Sequence, residues 1–437
     1  MQFSKALYPN EAFVARLKLS RKLKGHTGCV NTVNWSQCGR YLVSGSDDRR
    51  VCVWDYYNAG RPLASVATTH TANIFCTKFM PYTDNKRIIS CAGDNKILSI
   101  LLDDSRLGGE ITHTFTCHEG RVKKLAHLGD SNTFISGSED GTVRLFDLRE
   151  KPARSGRICV QLSGFTQINS IGVSGEKVVV GCSDPYARVY DIRMSSRDDS
   201  SPIVSFVPTK ERTLDQITGV DFQGDEIIAS YTGDKVYLFR MDQPDSHRTN
   251  TDTGEREPKR QRTEGNEQEG DGDKGTTVYG YVQCYAGHCN VRTIKGVSFI
   301  GPGAEYVASG SDDGKIFIWN KRTAQLVNLM QGDKSVVNVI SGHPFNCVLA
   351  TSGIDSSIKI WEPIQKQRTD LSGAEEISRR NIEMAQAEEA RGIPISLIRR
   401  LLMAGAFRPV FDEDNGEEIN EDTDTDSEGN APECRLH

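Results

Sequence analysis

The chain predicts an all-β fold, a seven-bladed propeller of four-stranded antiparallel sheets, and three observations carry that expectation. One sequence unit recurs seven times between Leu23 and Pro363, its period is the length of a single blade, and the polar residues inside it hold their spacing more tightly than the unit holds its length. Each unit opens on a Gly-His-like pair and continues through an apolar strand and a Ser-Gly-Ser-like strand to an Asp turn. It closes on a strand that ends, in most copies, in an aromatic residue. The first copy runs from Gly25-His26 through Val30 to Val33 and Val43 to Asp48, ending at Val51 to Asp55; another full copy starts at Gly287-His288 and ends at Ile316 to Trp319.

The strand-end residues are Trp54, Ile100, Phe146, Tyr190, Phe239, Trp319 and Trp361, at steps of 46, 46, 44, 49, 80 and 42 residues. The one long step holds residues 241–276, and without those 36 residues it is 44, back on the period. Six residues before the strand end stands Asp48, Asp94, Asp140, Asp184, Asp313 or Asp355; in the fifth copy the acid slips by one, to Asp234. Ten residues before it stands Ser44, Ser90, Ser136, Ser309 or Thr351, while copies four and five carry Val180 and Ala229.

This pattern resembles the WD-repeat family. The resemblance implies that the His, Ser or Thr, Asp and Trp of one blade form a buried hydrogen-bonded chain: His26, Ser44, Asp48 and Trp54 in blade one, and His288, Ser309, Asp313 and Trp319 in blade six. The physics agrees, because a turn that excludes water must pair its inward polar groups. On that basis His26, His70, His118, His288 and His343 are structural residues at blade openings.

Closure of the ring follows from repeat phase. The last copy ends at Trp361 with no outer strand after it, and Ser20 to Lys24 precede the first Gly-His where an outer strand belongs, so residues of about 14 to 24 should complete the seventh blade. The expected order is an N-terminal arm at 1–12, blades one to five at 13–240 together with the closing strand of blade seven, and an insertion at 241–277. Blades six and seven follow at 278–366, then a helical extension at 367–411 and an acidic tail at 412–437.

Between Met241 and Val278 there is no Val, Ile, Leu, Phe, Tyr, Trp or Cys, so nothing there offsets the entropy of ordering and the insertion is expected to be disordered, leaving from the link between blades five and six. It contains Lys259, Arg260 and Arg262, a basic cluster that reads either as a nuclear import signal or as plain charged linker. Ala374 to Arg391, rich in Glu, Ala, Arg and Gln, predicts an exposed helix. A second helix is expected from Pro394, with Ile395, Ile398, Leu401 and Leu402 at helical spacing and Leu397 beside them. From Asp412 to Glu428 there are ten acidic residues and no basic ones, which predicts a solvated tail.

Composition narrows the function classes. The 437 residues exceed one ordinary core, a limit that a radial array of blades avoids. No run of 18 apolar residues exists and the start Met1 to Lys5 lacks an apolar signal segment, so a secreted or membrane-spanning chain is not expected. The 12 cysteines show no CxxC pair, which argues for buried thiols over disulfides or metal ligands. Gly310 to Ile316 superficially suggests a phosphate-binding loop, but it is one residue short between the glycines, has Ile where a magnesium-binding hydroxyl is needed, and lies on a strand turn. With no Gly-x-Ser-x-Gly elbow and no basic, aromatic-interleaved stripe, neither catalysis, nor a cofactor, nor direct nucleic-acid binding is expected. What remains is a rigid disc whose loops bind other proteins.

A narrower resemblance rests on Phe13 to Leu17, Leu23 to Val33, Ser44 to Asp48, Ala229 to Tyr231 and Tyr237 to Phe239, then on Gly287-His288, Val297 to Phe299, Ser309 to Asp312, Val337-Asn338, His343-Pro344 and Val348 to Gly353. These look like the DCAF-eight group of DDB1- and cullin-4-associated factors, WD-repeat substrate receptors of cullin-4 RING ubiquitin ligases. The likeness covers nearly all of residues 13–363. It implies binding to the ligase's propeller-shaped adaptor through an Asp-x-Arg that follows a strand-end aromatic residue. That motif occurs on two consecutive blades, as Phe146-Asp147-Leu148-Arg149 and Tyr190-Asp191-Ile192-Arg193. The implied function is a non-enzymatic receptor, nuclear and cytoplasmic, that joins a protein target to adaptor and cullin-4; the alternative is a ligase-independent scaffold for a chromatin or RNA-associated complex. Arg149 and Arg193 could instead pair with Asp147 and Asp191 and stiffen their turns.

Overall fold

A computed structural model describes residues 10–58, 60–103, 105, 108–152, 155–164, 166–194, 201–209, 216–242 and 276–391. Seven sheets follow one another around a ring, six antiparallel with four strands and one with five. Blade one shows the plan: Val30–Trp35, Tyr41–Ser46, Arg50–Asp55 and Ala64–Ala67 lie side by side from the inside outward. Period-2 alternation sends successive side chains of each strand toward the two neighbouring blades. That is why seven apolar clusters form, one between each adjacent pair of blades, including one that joins blade seven to blade one.

Closure uses the beginning of the chain. Lys18–Lys24 pairs antiparallel with Ser357–Glu362, bringing Leu23 against Ile358 in the cluster shared by blades seven and one. Just before it, a short helix, α1 (Glu11–Val14), opens on Asn10, whose side chain accepts the Ala12 N–H. Val14 and Leu17 are buried among the residues of blades six and seven, and the Asn328 side chain donates to the Val14 carbonyl at 2.8 Å. Each fully buried aliphatic side chain of this kind contributes about 1.5–3 kcal/mol. In six blades the innermost strand carries a bulge after its first residue, which adds twist where the strands converge.

The insertion sits one strand earlier than its expected place. Blade five takes its outer strand from Gln283–Tyr285, which pairs with Val236–Arg240, so the excursion leaves from inside blade five and not from the link to blade six. Counting from third-strand ends hides this, because the fourth strand of any blade lies beyond its marker. Thr276–Tyr279, assigned in part to the insertion, instead adds a fifth strand to blade four, parallel to Val204–Val207. It covers an edge that would otherwise present unpaired backbone groups.

A second helix, α2, spans Ala374–Arg391, the expected range, but it is not free of the ring. Ala374, Asn381 and Ala385 are buried, and Ile377 packs on the cluster between blades five and six. The expectations for residues 1–9, for the body of the insertion with Lys259, Arg260 and Arg262, for the helix from Pro394 and for the acidic tail lie outside the described residues.

Candidate partner-binding face

Each blade has two corners, one at either end of its third strand, and they are held by different chemistry. The corner that begins the strand carries the polar chain. In blade one His26 Nδ1 bonds Asp48 Oδ2 at 2.9 Å, His26 Nε2 meets Ser44 Oγ at 2.8 Å, and Trp54 Nε1 donates to Ser44 Oγ at 2.9 Å. Burial works against a charged His26, yet the bonds with Asp48 and Cys52 outweigh it and lift the ring to about 9. Blades two and three repeat the geometry through His70 with Ser90 and Asp94, and His118 with Ser136 and Asp140.

Blade six departs from the expected chain. His288 is buried with both ring nitrogens unpaired, Ser309 Oγ turns to the Gly310 carbonyl, and Trp319 Nε1 donates to the Ala286 carbonyl at 3.2 Å. The reason lies outside the repeat: the α2 side chain Asn381 donates to Asp313 Oδ2 at 3.2 Å and to the Gly287 carbonyl at 2.8 Å, taking the acceptor a histidine holds elsewhere. Burial and the nearby Lys295 charge then depress His288 to about 4. Blade seven recruits different residues again. Asp333 stands in the histidine's place, and the wholly buried Lys359 bridges Asp333 at 2.5 Å and Asp355 at 2.9 Å, while Trp361 keeps its bond to Thr351. His343 is not at a blade opening; it follows the first strand of blade seven, where it donates to the Gly39 carbonyl and accepts the Phe345 and Asn346 N–H groups.

The opposite corner, where the third strand ends, forms the other face of the disc. There one turn recurs on four blades: a side-chain oxygen accepts the N–H two residues on, in Asp55 to Tyr57 at 3.0 Å, Asp147 to Arg149 at 2.9 Å, Asp191 to Arg193 at 2.9 Å and Asn320 to Arg322 at 3.0 Å. The acid of Asp-x-Arg therefore has a turn-forming role that does not depend on any arginine. Between acid and arginine, Leu148 and Ile192 are buried in the clusters flanking blade three, so each corner is pinned to the core by its middle residue.

Arg149 folds back on its own turn. Its Nε lies 2.9 Å from Asp147 Oδ1 and its Nη2 2.6 Å from Oδ2, a two-pronged grip. Arg193 repeats this on Asp191, at 3.0 and 2.7 Å, and also pairs with Glu176. The guanidinium groups hold both carboxyls below the usual range, with slight burial opposing. Yet the arginine side chains remain 69% and 65% exposed. The pairing stiffens each turn and at the same time presents an oriented cation to solvent on adjacent blades.

Three residues of this face escape a search for Asp-x-Arg. Tyr57 occupies the arginine position of blade one and is 68% exposed; Arg322 occupies it in blade six, behind an Asn that supplies the same oxygen; and Arg40 reaches Asp55 Oδ2 at 2.9 Å from a neighbouring turn. Allowing Asn for Asp would have found Arg322. Among the described residues, no group of three or more His, Cys, Asp or Glu is arranged to hold a metal ion, the cysteines are free thiols, and no helix is long and apolar enough to cross a membrane.

Comparison with known proteins agrees with the repeat assignment. The family model "WD domain, G-beta repeat" matches residues 17–55, 109–147, 280–320 and 324–362, so the chain carries WD repeats, and with the sheets above it is a seven-bladed WD-repeat propeller. WD repeat protein iqw1 of Schizosaccharomyces pombe is 34% identical over 282 residues, covering 56% of this chain and 35% of that protein. The mouse DDB1- and CUL4-associated factor 6 is 34% identical over 247 residues, covering 52% and 28%. Human WD and tetratricopeptide repeats protein 1 aligns with 100% of this chain and 97% of its own length at 24% identity. The chain spans about a third of the length of the first two of these relatives. They support the wider class of WD-repeat proteins that includes a DDB1- and CUL4-associated factor, and do not narrow it to the eight group.

Proposed function

We propose that this chain is a non-catalytic substrate receptor of a cullin-4 RING ubiquitin ligase. It binds the ligase's propeller adaptor through Arg149 and Arg193 and presents a protein target held elsewhere on the disc. The observation that carries this reading is the duplicated corner: two consecutive blades display the same core-pinned turn, each with an exposed, oriented guanidinium. A planar fork of this kind suits carboxylates and backbone carbonyls of a partner, and arginine is enriched among residues that dominate interfaces. A relative of 34% identity that is named for association with DDB1 and CUL4 points the same way. Ubiquitin transfer would arise from proximity supplied by the ligase's other subunits, since this chain contributes position and no reacting group. Work in both nucleus and cytoplasm is part of the proposal, with Lys259, Arg260 and Arg262 as the import signal.

A ligase-independent scaffold for a chromatin or RNA-associated complex is the second reading. It draws on the fact that each arginine already has a partner in its own turn, a purely structural use of the motif.

One experiment separates them. In an Arg149→Glu, Arg193→Glu double variant, each new carboxylate faces Asp147 or Asp191 and the cationic surface is lost, while Leu148, Ile192 and the backbone bonds keep the ring folded. Co-purification of adaptor and cullin-4 with the variant is expected to disappear, with an unchanged denaturation midpoint. Undiminished co-purification removes the ligase reading and leaves the scaffold.

A further inference from the structure

His288 of blade six lies buried with neither ring nitrogen paired. A buried imidazole with neither nitrogen paired is costly, and native proteins seldom leave one so. Its intended partners are present: His288, Ser309, Asp313 and Trp319 stand at the spacing of His26, Ser44, Asp48 and Trp54, which in blade one close into a chain. In blade six α2 reaches into that corner, and Lys315 Nζ also pairs with Asp313 Oδ2 at 3.4 Å. Asn381, 1% exposed, occupies Asp313 and the Gly287 carbonyl.

The seat for α2 is shaped for a helix. Gly287 has φ +104°, and a Cβ there would lie 2.5 Å from Ser378 Oγ and 3.1 Å from its Cβ, so the glycine lets α2 approach the backbone of blade six closely. Ala374, Ile377, Ser378, Asn381 and Ala385 fall on one helical stripe and make the contact, with Met384 beside Arg292. Most of the remaining α2 residues are charged, with Ile382 45% exposed beside an open cavity of about 440 Å³ that Leu326, Glu375 and Arg379 help to line. A polar helix held along one narrow stripe, at the cost of an unpaired histidine, is a contact that can be exchanged.

We propose that blade six bears a helix-binding seat, filled in cis by α2 and open in trans to a partner helix of the same pattern, small and apolar residues flanking a central carboxamide. When the seat empties, His288 turns onto Asp313 and Ser309 and closes the chain as in blade one. Occupancy of the seat and pairing of His288 are thus alternatives.

The test uses the full chain and a labelled synthetic peptide of residues 373–391. Asn381→Ala removes the resident carboxamide, and Ser378→Arg, which cannot pass Gly287, ejects the helix by bulk; neither change touches a strand. The peptide is expected to bind both variants at least about tenfold more tightly than it binds the wild-type chain, where α2 competes at the high effective concentration of a tethered group. In histidine-ring NMR spectra of both variants, one signal, assigned by its loss in His288→Phe, should move to the position of a hydrogen-bonded ring and return when peptide is added. Equal affinity for wild type and variants, absence of binding to the variants, or an unchanged His288 signal overturns the proposal.

Discussion

Blades one and six carry the same four polar residues at the same spacing, yet only blade one joins them. In the first, His26 bridges Ser44 and Asp48. In the sixth, a helix from outside the repeat places Asn381 on Asp313, and His288 is left buried without a partner. Spacing along a strand determines which atoms come within reach; which of them bond depends on every competitor the fold brings to the same acceptor.

Removing the shared aspartate should separate the two blades most. Asp48→Ala removes the acceptor shared by His26 Nδ1 and the Thr27 and Arg50 N–H groups and leaves the buried ring neutral with Nδ1 unpaired, a loss of about 3 kcal/mol or more. Asp313→Ala loses bonds from Asn381 and the Lys315 backbone and a part-exposed ion pair with the Lys315 ammonium, and should cost about 1–2 kcal/mol. Urea denaturation of the two variants should show that gap; equal losses would mean that blade six has a closed chain in solution.

Replacing the histidines comes next. His26→Phe leaves Asp48 and Ser44 without their ring partner and should cost about 2 kcal/mol. His288→Phe gives up no bond, and its ring would lie beside Phe317 and Trp319, which His288 already meets edge-on, so a change below about 1 kcal/mol is expected.

The same contrast extends to pH, where the two rings act with opposite sign. His26 is raised to about 9 in the fold from an ordinary 6.5, so its contribution is complete below pH 6.5 and is lost as pH rises through about 9. His288 is lowered to about 4, so the unfolded chain takes up its proton first and stability falls as pH drops from 6.5 toward 4. Between pH 7.5 and 5.5 the His288 effect is about 1 kcal/mol, and denaturation curves of His288→Phe should lack that share of the acid loss.

How far the sequence could be read follows from the same contrast. The blade count, the closing strand before Lys24, the helix at Ala374 and the two Asp-x-Arg corners were all legible, because each depends on short-range periodicity or spacing. The outer strand of blade five at Gln283–Tyr285 was not, since three residues of strand beyond a long polar excursion carry too little pattern to assign. Arg322 was hidden behind an Asn, and Tyr57 behind the expectation of an arginine.

The amino-acid order by itself determined that this protein is a ring of seven sheets with rigid corners and oriented arginines on two adjacent blades. Those features arise within single repeats, where neighbours in sequence are neighbours in space. Only the tertiary structure decided that α2 sits on blade six, that Asn381 displaces His288, and that Lys359 serves two carboxylates in blade seven. Such pairings join segments far apart along the chain, and a buried hydrogen-bond acceptor goes to whichever donor the packing brings nearest, a competition that no local pattern records.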